Sequence, residues 1–222
     1  MIVRRNRALS TESHSTERPS SRPRMAEVLL TGVGGQGIQL VSRTLALAAV
    51  AEGRQAMMVG NYGGMIRGGM TEGTVVIGLG GLRSLPIIPS AWSGFVMSPE
   101  FWETIVGRIR AGGPVAYNSS LATQGWADEV AAGGHVTFPV AADEIALELG
   151  SPLSASFVLL GAFAAITGLV GPDALVEAMA EQVPSYRSKS ITANETAIIK
   201  GFDLGPAMAA PAFPVSAPVG AP

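Results

Sequence analysis

Hydrophobic residues recur along the chain in short runs that alternate with longer, helix-like stretches. The short runs are rich in Val, Ile and Leu and predict six strands, at residues 27–31, 55–59, 73–77, 95–97, 114–118 and 135–139. The longer stretches predict six helices, at residues 38–52, 100–110, 141–149, 153–169, 172–182 and 189–201. Strands that alternate with helices are typical of a parallel sheet whose two faces are covered. We therefore predict an α/β protein, with a Rossmann-like, largely parallel sheet, helices on both faces and a helical C-terminal layer.

The most apolar stretch is LSASFVLLGAFAAITGLV, residues 153–170. It is long enough to raise the question of a membrane span. However, Ser, Thr and Gly residues interrupt it, and no basic residues flank it as membrane anchors. We predict a helix that is buried in the core or in a subunit interface, and no membrane span.

Both ends of the chain differ in composition from the middle. Residues 1–24 are rich in Ser and Arg and contain no apolar run of the kind that a secretory signal needs, so we expect a disordered basic extension in a cytoplasmic protein. An organelle transit peptide and a start at Met25 are the alternatives. Residues 206–222 are rich in Pro and Ala and predict a flexible tail. The folded domain is thereby predicted to span residues 25–205.

The charge balance and the apolar content indicate the kind of partner. Six arginines and two glutamates give the first 24 residues a charge of +4, whereas the whole chain has a formal net charge of −2. The remainder is therefore acidic, which argues against nucleic acid as a partner. Hydrophobic residues make up 47% and charged residues only 14% of the chain, which favours burial against other subunits.

The chain contains no cysteine and only two histidines. Without cysteine it has no disulfide, no thiolate nucleophile and no thiolate ligand for an iron–sulfur cluster. No acidic cluster has metal-ligand spacing either, so we predict no metal site.

A glycine loop, GVGGQG, follows the first predicted strand. It places Gly32, Gly34 and Gly37 at the three glycine positions of a dinucleotide-binding fingerprint, with Gly35 and Gln36 between them. The start of the helix that follows offers free N–H groups, which suit a phosphate. The pattern alone leaves two interpretations open, a ligand-binding loop and a turn that is needed only for packing.

The second predicted strand lacks the residue that a nicotinamide or flavin site needs. Such sites place an Asp or Glu at the end of this strand, where its carboxylate binds the ribose hydroxyls. The strand here ends AMMVGN, and Asn61 is a poor substitute for a carboxylate. Ordinary NAD binding is therefore disfavoured.

A second glycine-rich loop, YGGMIRGG, follows that strand. It begins at Tyr62, ends at Gly68 and Gly69, and contains one basic residue, Arg67. So many glycines cost backbone entropy, which favours a loop whose backbone must lie close to a ligand or a neighbouring chain. Arg67 offers a forked donor for a phosphate or carboxylate. The alternative is a surface arginine that pairs with Glu72.

Together the two loops resemble the gamma subunit, or gamma domain, of the 2-oxoacid:ferredoxin (acceptor) oxidoreductases, the pyruvate, 2-oxoglutarate and ketoisovalerate oxidoreductase family. The family pattern is GxGGQG followed by YGxxxRGG, and the resemblance covers about residues 26–204. Two features depart from it. The family usually has an Asp ahead of its middle strand, where this chain reads PSAWSG, and often has an Asn where this chain has Ser156.

The resemblance implies a subunit of a larger enzyme. In that family thiamine diphosphate, held with Mg, adds to the keto carbon of a 2-oxoacid and carbon dioxide leaves. Electrons then pass singly to iron–sulfur clusters and to ferredoxin or another electron acceptor, and coenzyme A takes the acyl group. Because this chain has no cysteine and no thiamine diphosphate motif, the resemblance implies that those cofactors lie on partner alpha, beta and ferredoxin-like delta subunits. The isolated chain is then inactive and has no catalytic residue of its own.

The implied role of this chain is to help form the coenzyme A side of the site, at the interface, and to pack against the catalytic subunits. The candidate binding residues are Gly32, Gly34, Gly35, Gln36, Gly37, Tyr62, Arg67, Gly68 and Gly69. Two alternatives stay open. One is a purely structural docking subunit, and the other is a stand-alone Rossmann-type oxidoreductase that binds a nucleotide.

Overall fold

The computed structural model describes residues 25–62, 68–79, 82, 88–184, 188–207 and 209–213. In these ranges the chain forms six strands, namely β1 (Met25–Val33), β2 (Gln55–Tyr62), β3 (Met70–Gly78), β4 (Ser93–Val96), β5 (Pro114–Asn118) and β6 (Val136–Val140). The same ranges contain seven α-helices, namely α1 (Ile38–Ala51), α2 (Trp102–Ile105), α3 (Trp126–Ala132), α4 (Ala142–Glu148), α5 (Ala155–Thr167), α6 (Pro172–Gln182) and α7 (Ser188–Leu204).

The strands form one mixed sheet in the order β2-β3-β1-β4-β5-β6. Strands β1, β4, β5 and β6 are parallel, and β3 runs antiparallel to both β1 and β2. Five of the six strands therefore point the same way, which confirms the predicted α/β fold with a largely parallel sheet. Strand β3 lies between β1 and β2, so β2 is two strand spacings, about 10 Å, away from β1.

Helices cover both faces of the sheet. Helices α1, α5, α6 and α7 enclose the larger core on one face, where Phe95 and Phe163 meet edge to face at 6.0 Å. Helices α2 and α3 cover the other face over a smaller aromatic cluster. Strand β1 lies between the two cores, so its neighbouring residues Leu29 and Leu30 point to opposite faces and are both fully buried.

Glycines in β2 and β3 allow α1 to lie directly on the sheet. Gly60 pairs with Gly73 across the two strands. The side chains of Gln39 and Ser42, on α1, occupy the space that a β-carbon at either glycine would need. A side chain at Gly73 would overlap Ser42 and press against α1, whereas one at Gly60 would displace only the flexible end of Gln39.

Helix α5 is the centre of the larger core, and every one of its 13 residues is buried. This confirms the prediction that the apolar stretch is a buried helix. Helix α7 packs closely against it, because Gly161 of α5 and Gly201 of α7 let the backbones approach each other. None of the helices described here is both long and apolar enough to cross a membrane.

One helix prediction was wrong, and one helix was missed. The single helix predicted at residues 100–110 is α2 with a 3-10 turn on either side, Pro99–Phe101 and Val106–Arg108. Gly107 weakens the helix near its end. Helix α3 was not predicted, because its seven residues between Gly125 and Gly133 are too few to show a helical period.

The start of the predicted flexible tail lies against the end of α5. The amide of Ala210 donates to the carbonyl of Ile166 at 3.0 Å, and that of Ala212 donates to the carbonyl of Thr167 at 2.9 Å. Residues 209–213 are therefore held to the core. The predicted N-terminal extension and the rest of the tail lie outside the described residues.

Candidate functional site

The first glycine loop lies at the carboxyl edge of the sheet, where two neighbouring strands send their helices to opposite faces. Strand β1 leads into α1 on the face of the larger core, and β4 leads through Ser98 and Pro99 into α2 on the other face. Such a reversal leaves a crevice between the two connections, and ligands of open α/β sheets bind there. The sequence thus folds its fingerprint glycines into the position that a ligand site requires.

The loop has a backbone that only glycine adopts readily. Gly35 has a φ of 109° and Gly37 a φ of 78°, both in the left-handed region. Gly37 precedes α1 directly and offers no side-chain cap. Gly34 and Gly35 are exposed, so a binding partner can approach their backbone atoms closely.

The side chain of Gln36 holds this loop in place. Its Oε1 accepts hydrogen bonds from the backbone N–H of Val33 at 2.8 Å and from the hydroxyl of Ser98 at 2.8 Å. The first bond closes the turn, and the second connects the loop to Ser98, two residues after β4. Gln36 was predicted to be a binding residue, but its side-chain oxygen already accepts two hydrogen bonds from within the chain.

The two glycine loops meet in the structure. The backbone N–H of Gly34 donates to the carbonyl oxygen of Gly69 at 2.9 Å. Gly68, before it, has a φ of 87°. Tyr62 ends β2, but its side chain and the whole of Arg67 lie outside the described residues. The structure therefore brings together the first loop and the end of the second, and Arg67 lies two residues before Gly69 in the sequence.

Backbone donors are available where the first loop enters α1. Among the residues that the structure describes, the N–H groups of Gly35, Gly37 and Ile38 donate to no acceptor. Helix α1 has 14 residues and no acidic residue in its first turn. Its partial positive end is therefore not neutralised locally, and these groups suit an oxyanion.

The sheet order also differs from that of an ordinary NAD site. In the dinucleotide fold the second strand lies next to the first, so that its terminal carboxylate reaches the ribose. Here β3 takes that place and β2 lies one strand farther away. Asn61, at the end of β2, therefore stands opposite β3 and not beside the glycine loop.

The alternative partner of Arg67, Glu72, is already bound by another arginine. Its Oε2 lies 2.7 Å from Nη1 of Arg108, and its side chain is 8% exposed. Its backbone carbonyl accepts a hydrogen bond from Gln39 on α1 at 2.7 Å. Glu72 thus joins β3 to both faces of the sheet, a role that the sequence did not reveal.

Residues that the sequence analysis did not select also shape the crevice. Ser98, Pro99, Glu100 and Leu121 line a small hollow of about 190 Å³ beside the loop. The only signal for Ser98 was its place directly after a buried strand. Within the described ranges no three metal-ligating side chains come together.

Asn118, at the end of β5, fixes the neighbouring part of this edge. It is fully buried, and its Nδ2 donates to Asp143 at 3.0 Å. Its Oδ1 accepts from the backbone N–H groups of Ser120 at 3.3 Å and Ala142 at 3.1 Å. Since both polar atoms are used, Asn118 supports the end of β5 and the start of α4.

These features define a class of protein, a Rossmann-like α/β domain with an antiparallel strand inserted in its sheet and a crevice lined by backbone donors. Residues 27–204 match the protein family described as Pyruvate ferredoxin/flavodoxin oxidoreductase. The chain belongs to this family, which confirms the resemblance of its two glycine loops. It is 28% identical over 181 residues to the 2-oxoglutarate synthase subunit KorC of Methanocaldococcus jannaschii, covering 80% of this chain and 92% of that subunit.

Solved structures show the same relationship. The gamma subunit of a keto/oxoacid ferredoxin oxidoreductase from Geobacter sulfurreducens superposes with a TM-score of 0.66 and 26% identity, over 81% of this chain and 95% of that one. The 2-oxoglutarate:ferredoxin oxidoreductase from Magnetococcus marinus, with 2-oxoglutarate, coenzyme A and succinyl-CoA bound, superposes with a TM-score of 0.71 at 19% identity. This match covers 82% of this chain but 31% of that one, and it shows the fold alone.

Proposed function

We propose that this chain is the gamma subunit of a multi-subunit, thiamine diphosphate-dependent 2-oxoacid:ferredoxin (acceptor) oxidoreductase. Such an enzyme converts a 2-oxoacid and coenzyme A to an acyl-CoA and carbon dioxide, and it passes two electrons singly to ferredoxin or another acceptor. The observation that carries the proposal is the family match over residues 27–204, together with relatives that are named as subunits of such enzymes.

The reactive cofactors belong, in this proposal, to partner subunits. Iron–sulfur clusters are held by cysteine thiolates, and the chain has no cysteine. We therefore assign the clusters, the thiamine diphosphate and its Mg to alpha, beta and ferredoxin-like delta subunits. The apolar composition of this chain is consistent with surfaces that such partners cover.

The part that we assign to this chain is the coenzyme A side of the active site. Coenzyme A carries phosphate groups, and the open N–H groups of Gly35, Gly37 and Ile38 at the start of α1 are suited to an anion. The bond between Gly34 and Gly69 holds the second loop against the first. Arg67, two residues before Gly69, would then supply a forked donor near the same anion.

Docking without ligand contact is the second candidate for the loops. It is favoured by the hydrogen bonds of Gln36 Oε1 and of the Gly34 N–H, which are made within the chain and hold the loops together. Exposed apolar residues offer surfaces for partner chains, since Leu153 is 93% and Leu147 67% exposed. The two roles differ in one measurable respect, because docking alone predicts no dependence of coenzyme A binding on Arg67.

The composition of the native assembly tests the proposed enzyme. The chain, tagged at one end, is to be purified with the subunits that accompany it and analysed by native mass spectrometry. We expect the chain to purify with larger subunits that carry iron and thiamine diphosphate. We also expect this complex to form acyl-CoA only when a 2-oxoacid and a low-potential electron acceptor are present. A chain that purifies alone and binds NAD tightly would instead support the stand-alone oxidoreductase.

A further inference from the structure

A second recess lies beside Gly37, between the starts of α1, α5 and α7 and the end of α6. Its volume is about 410 Å³, within the range of small-molecule sites. Apolar side chains form most of its wall, namely Leu40, Leu153, Phe157, Val183 and Pro184. The recess therefore has space for a ligand whose surface is largely apolar.

The side-chain amide of Gln182, at the end of α6, is held in one orientation. Its Nε2 donates to Oγ1 of Thr44 at 2.9 Å and to the backbone carbonyl of Ala178 at 2.8 Å. The hydroxyl of Thr44 itself donates to the carbonyl of Leu40 at 2.9 Å, so it accepts from Gln182. Because the carbonyl of Ala178 can only accept, the opposite orientation would set two acceptors against each other. Both N–H groups of Gln182 are thus used, and Oε1 is the remaining end.

This Oε1 is a buried acceptor that lacks a donor. Within the part of the chain that the structure describes, it has no hydrogen-bond partner, and Gln182 lines the recess. Buried polar groups are normally paired, and leaving one unpaired costs free energy. The acceptor therefore indicates a ligand that brings a hydrogen-bond donor.

The helix ends around the recess favour an uncharged donor. Helices α1, α5 and α7 begin there without an acidic residue in the first turn, and α6 ends there without a basic residue in its last turn. A cation would meet the partial positive ends of three helices, and an anion would meet the lone pairs of Gln182 Oε1. Among the described residues that line the recess, none is Asp, Glu, Lys or Arg.

We propose that this recess binds an uncharged ligand through an amide group, whose N–H donates to Oε1 of Gln182. The apolar part of the ligand lies against Leu40 and Phe157. An amide supplies an uncharged N–H at neutral pH, whereas an aliphatic amine is protonated there. The inference depends on the recess alone, so it stands or falls independently of the proposed enzyme.

The test compares two probes of nearly the same shape, N-butylbutanamide and butyl butanoate, on the 222-residue chain. The ester keeps the carbonyl group and both apolar arms but has no N–H. Binding is measured by NMR titration of the isotope-labelled chain. The amide is expected to bind saturably and about threefold or more tightly than the ester. No saturable binding of the amide, or equal affinities for the two probes, would overturn the proposal.

A first pair of variants tests the role of Gln182. Gln182→Met keeps the length of the side chain but removes the acceptor, so the amide and the ester should bind with equal affinity. The control Glu181→Met changes an exposed neighbour outside the recess and should keep the preference for the amide. A preference for the amide that survives in Gln182→Met would overturn the proposal.

A second pair of variants leaves Gln182 and its internal hydrogen bonds in place, and it serves if Gln182→Met fails to fold. Ser190 is exposed and lines the recess, so Ser190→Trp should obstruct it and weaken amide binding about tenfold or more. The control Ser188→Trp adds the same side chain at an exposed position outside the recess and should bind like the wild type. Equal affinities of these two variants for the amide would place its binding elsewhere and overturn the proposal.

A competition arm identifies the source of the amide. Pantetheine, the uncharged arm of coenzyme A, contains amide groups and no phosphate. Displacement of N-butylbutanamide by pantetheine assigns the recess to coenzyme A, and binding without such displacement assigns it to a separate ligand.

Discussion

The clearest quantitative prediction concerns Gln36, whose one side-chain oxygen joins the glycine loop to β4. Gln36→Ala removes the acceptor for the N–H of Val33 and for the hydroxyl of Ser98. A neutral hydrogen bond contributes about 1 kcal/mol net, and a buried donor left without a partner costs about 1–3 kcal/mol. Because Ser98 is 1% exposed, we expect Gln36→Ala to lower the free energy of unfolding by about 2–4 kcal/mol.

Three companion variants separate these contributions. Ser98→Ala removes one bond and leaves no unpaired donor, so it should cost about 1 kcal/mol. In the double variant the two costs should not add, with a coupling of about 1 kcal/mol or more. Gln36→Glu keeps an acceptor oxygen and places a negative charge beside the start of α1, so it should stay within about 1 kcal/mol of the wild type.

Urea unfolding of the four variants, followed by circular dichroism at neutral pH, measures these differences. The reasoning is refuted if Gln36→Ala unfolds within about 0.5 kcal/mol of the wild type, or if the costs of the two alanine variants simply add.

Three further predictions concern the scaffold. Gly201→Ala should lower the free energy of unfolding by about 1–3 kcal/mol, because the added methyl group would overlap the backbone of α5. The control Gly107→Ala places its methyl group in open space and should be close to neutral. Equal effects of the two variants in urea unfolding would contradict the packing argument. Arg108→Ala should cost about 1.5–3 kcal/mol because it leaves the carboxylate of Glu72 buried, and adding Glu72→Gln should restore part of the loss; no restoration would contradict the ion-pair argument. Burial, and then the charge of Asp128, raise the pKa of Tyr117 above its ordinary value of 10.0, so the unfolded chain ionises at a lower pH than the folded chain. The contribution of neutral Tyr117 to the free energy of unfolding is therefore complete below about pH 10 and is lost as the pH rises. Urea unfolding midpoints measured between about pH 9 and 11 should fall less in Tyr117→Phe than in the wild type, and an equal fall in both would contradict the assignment.

The sequence predicted the elements better than their arrangement. Periodicity located all six strands and the buried helix α5, because each is a continuous apolar run that contrasts with its neighbours. The position of β3 between β1 and β2 was not predicted, since hydrophobic pattern carries no information on strand order. The interruption of the helix predicted at residues 100–110 was also missed, although Gly107, which weakens the helix near its end, was a local signal for it.

The candidate site, too, was predicted only in part from the sequence. The glycines of both loops were selected from their spacing, and the structure places Gly34 against Gly69. The support of the loop by Ser98 could not be predicted, because that residue lies 62 positions from Gln36 in the sequence. The buried hydrogen bond from Ser154 to Asn194, at 2.8 Å, was missed for the same reason, because it joins residues 40 positions apart.

The most direct test of the central claim measures how coenzyme A binding depends on Arg67 in the assembled complex. For Arg67→Ala we expect the KM for coenzyme A to rise by roughly 10- to 150-fold, since a charged hydrogen bond to phosphate is worth about 1.5–3 kcal/mol. Arg67→Lys, which keeps the charge but loses the fork, should show a smaller rise, with the 2-oxoacid KM and the subunit stoichiometry unchanged. An unchanged KM for coenzyme A in a complex that loses subunits would contradict the account and assign the loops to docking alone.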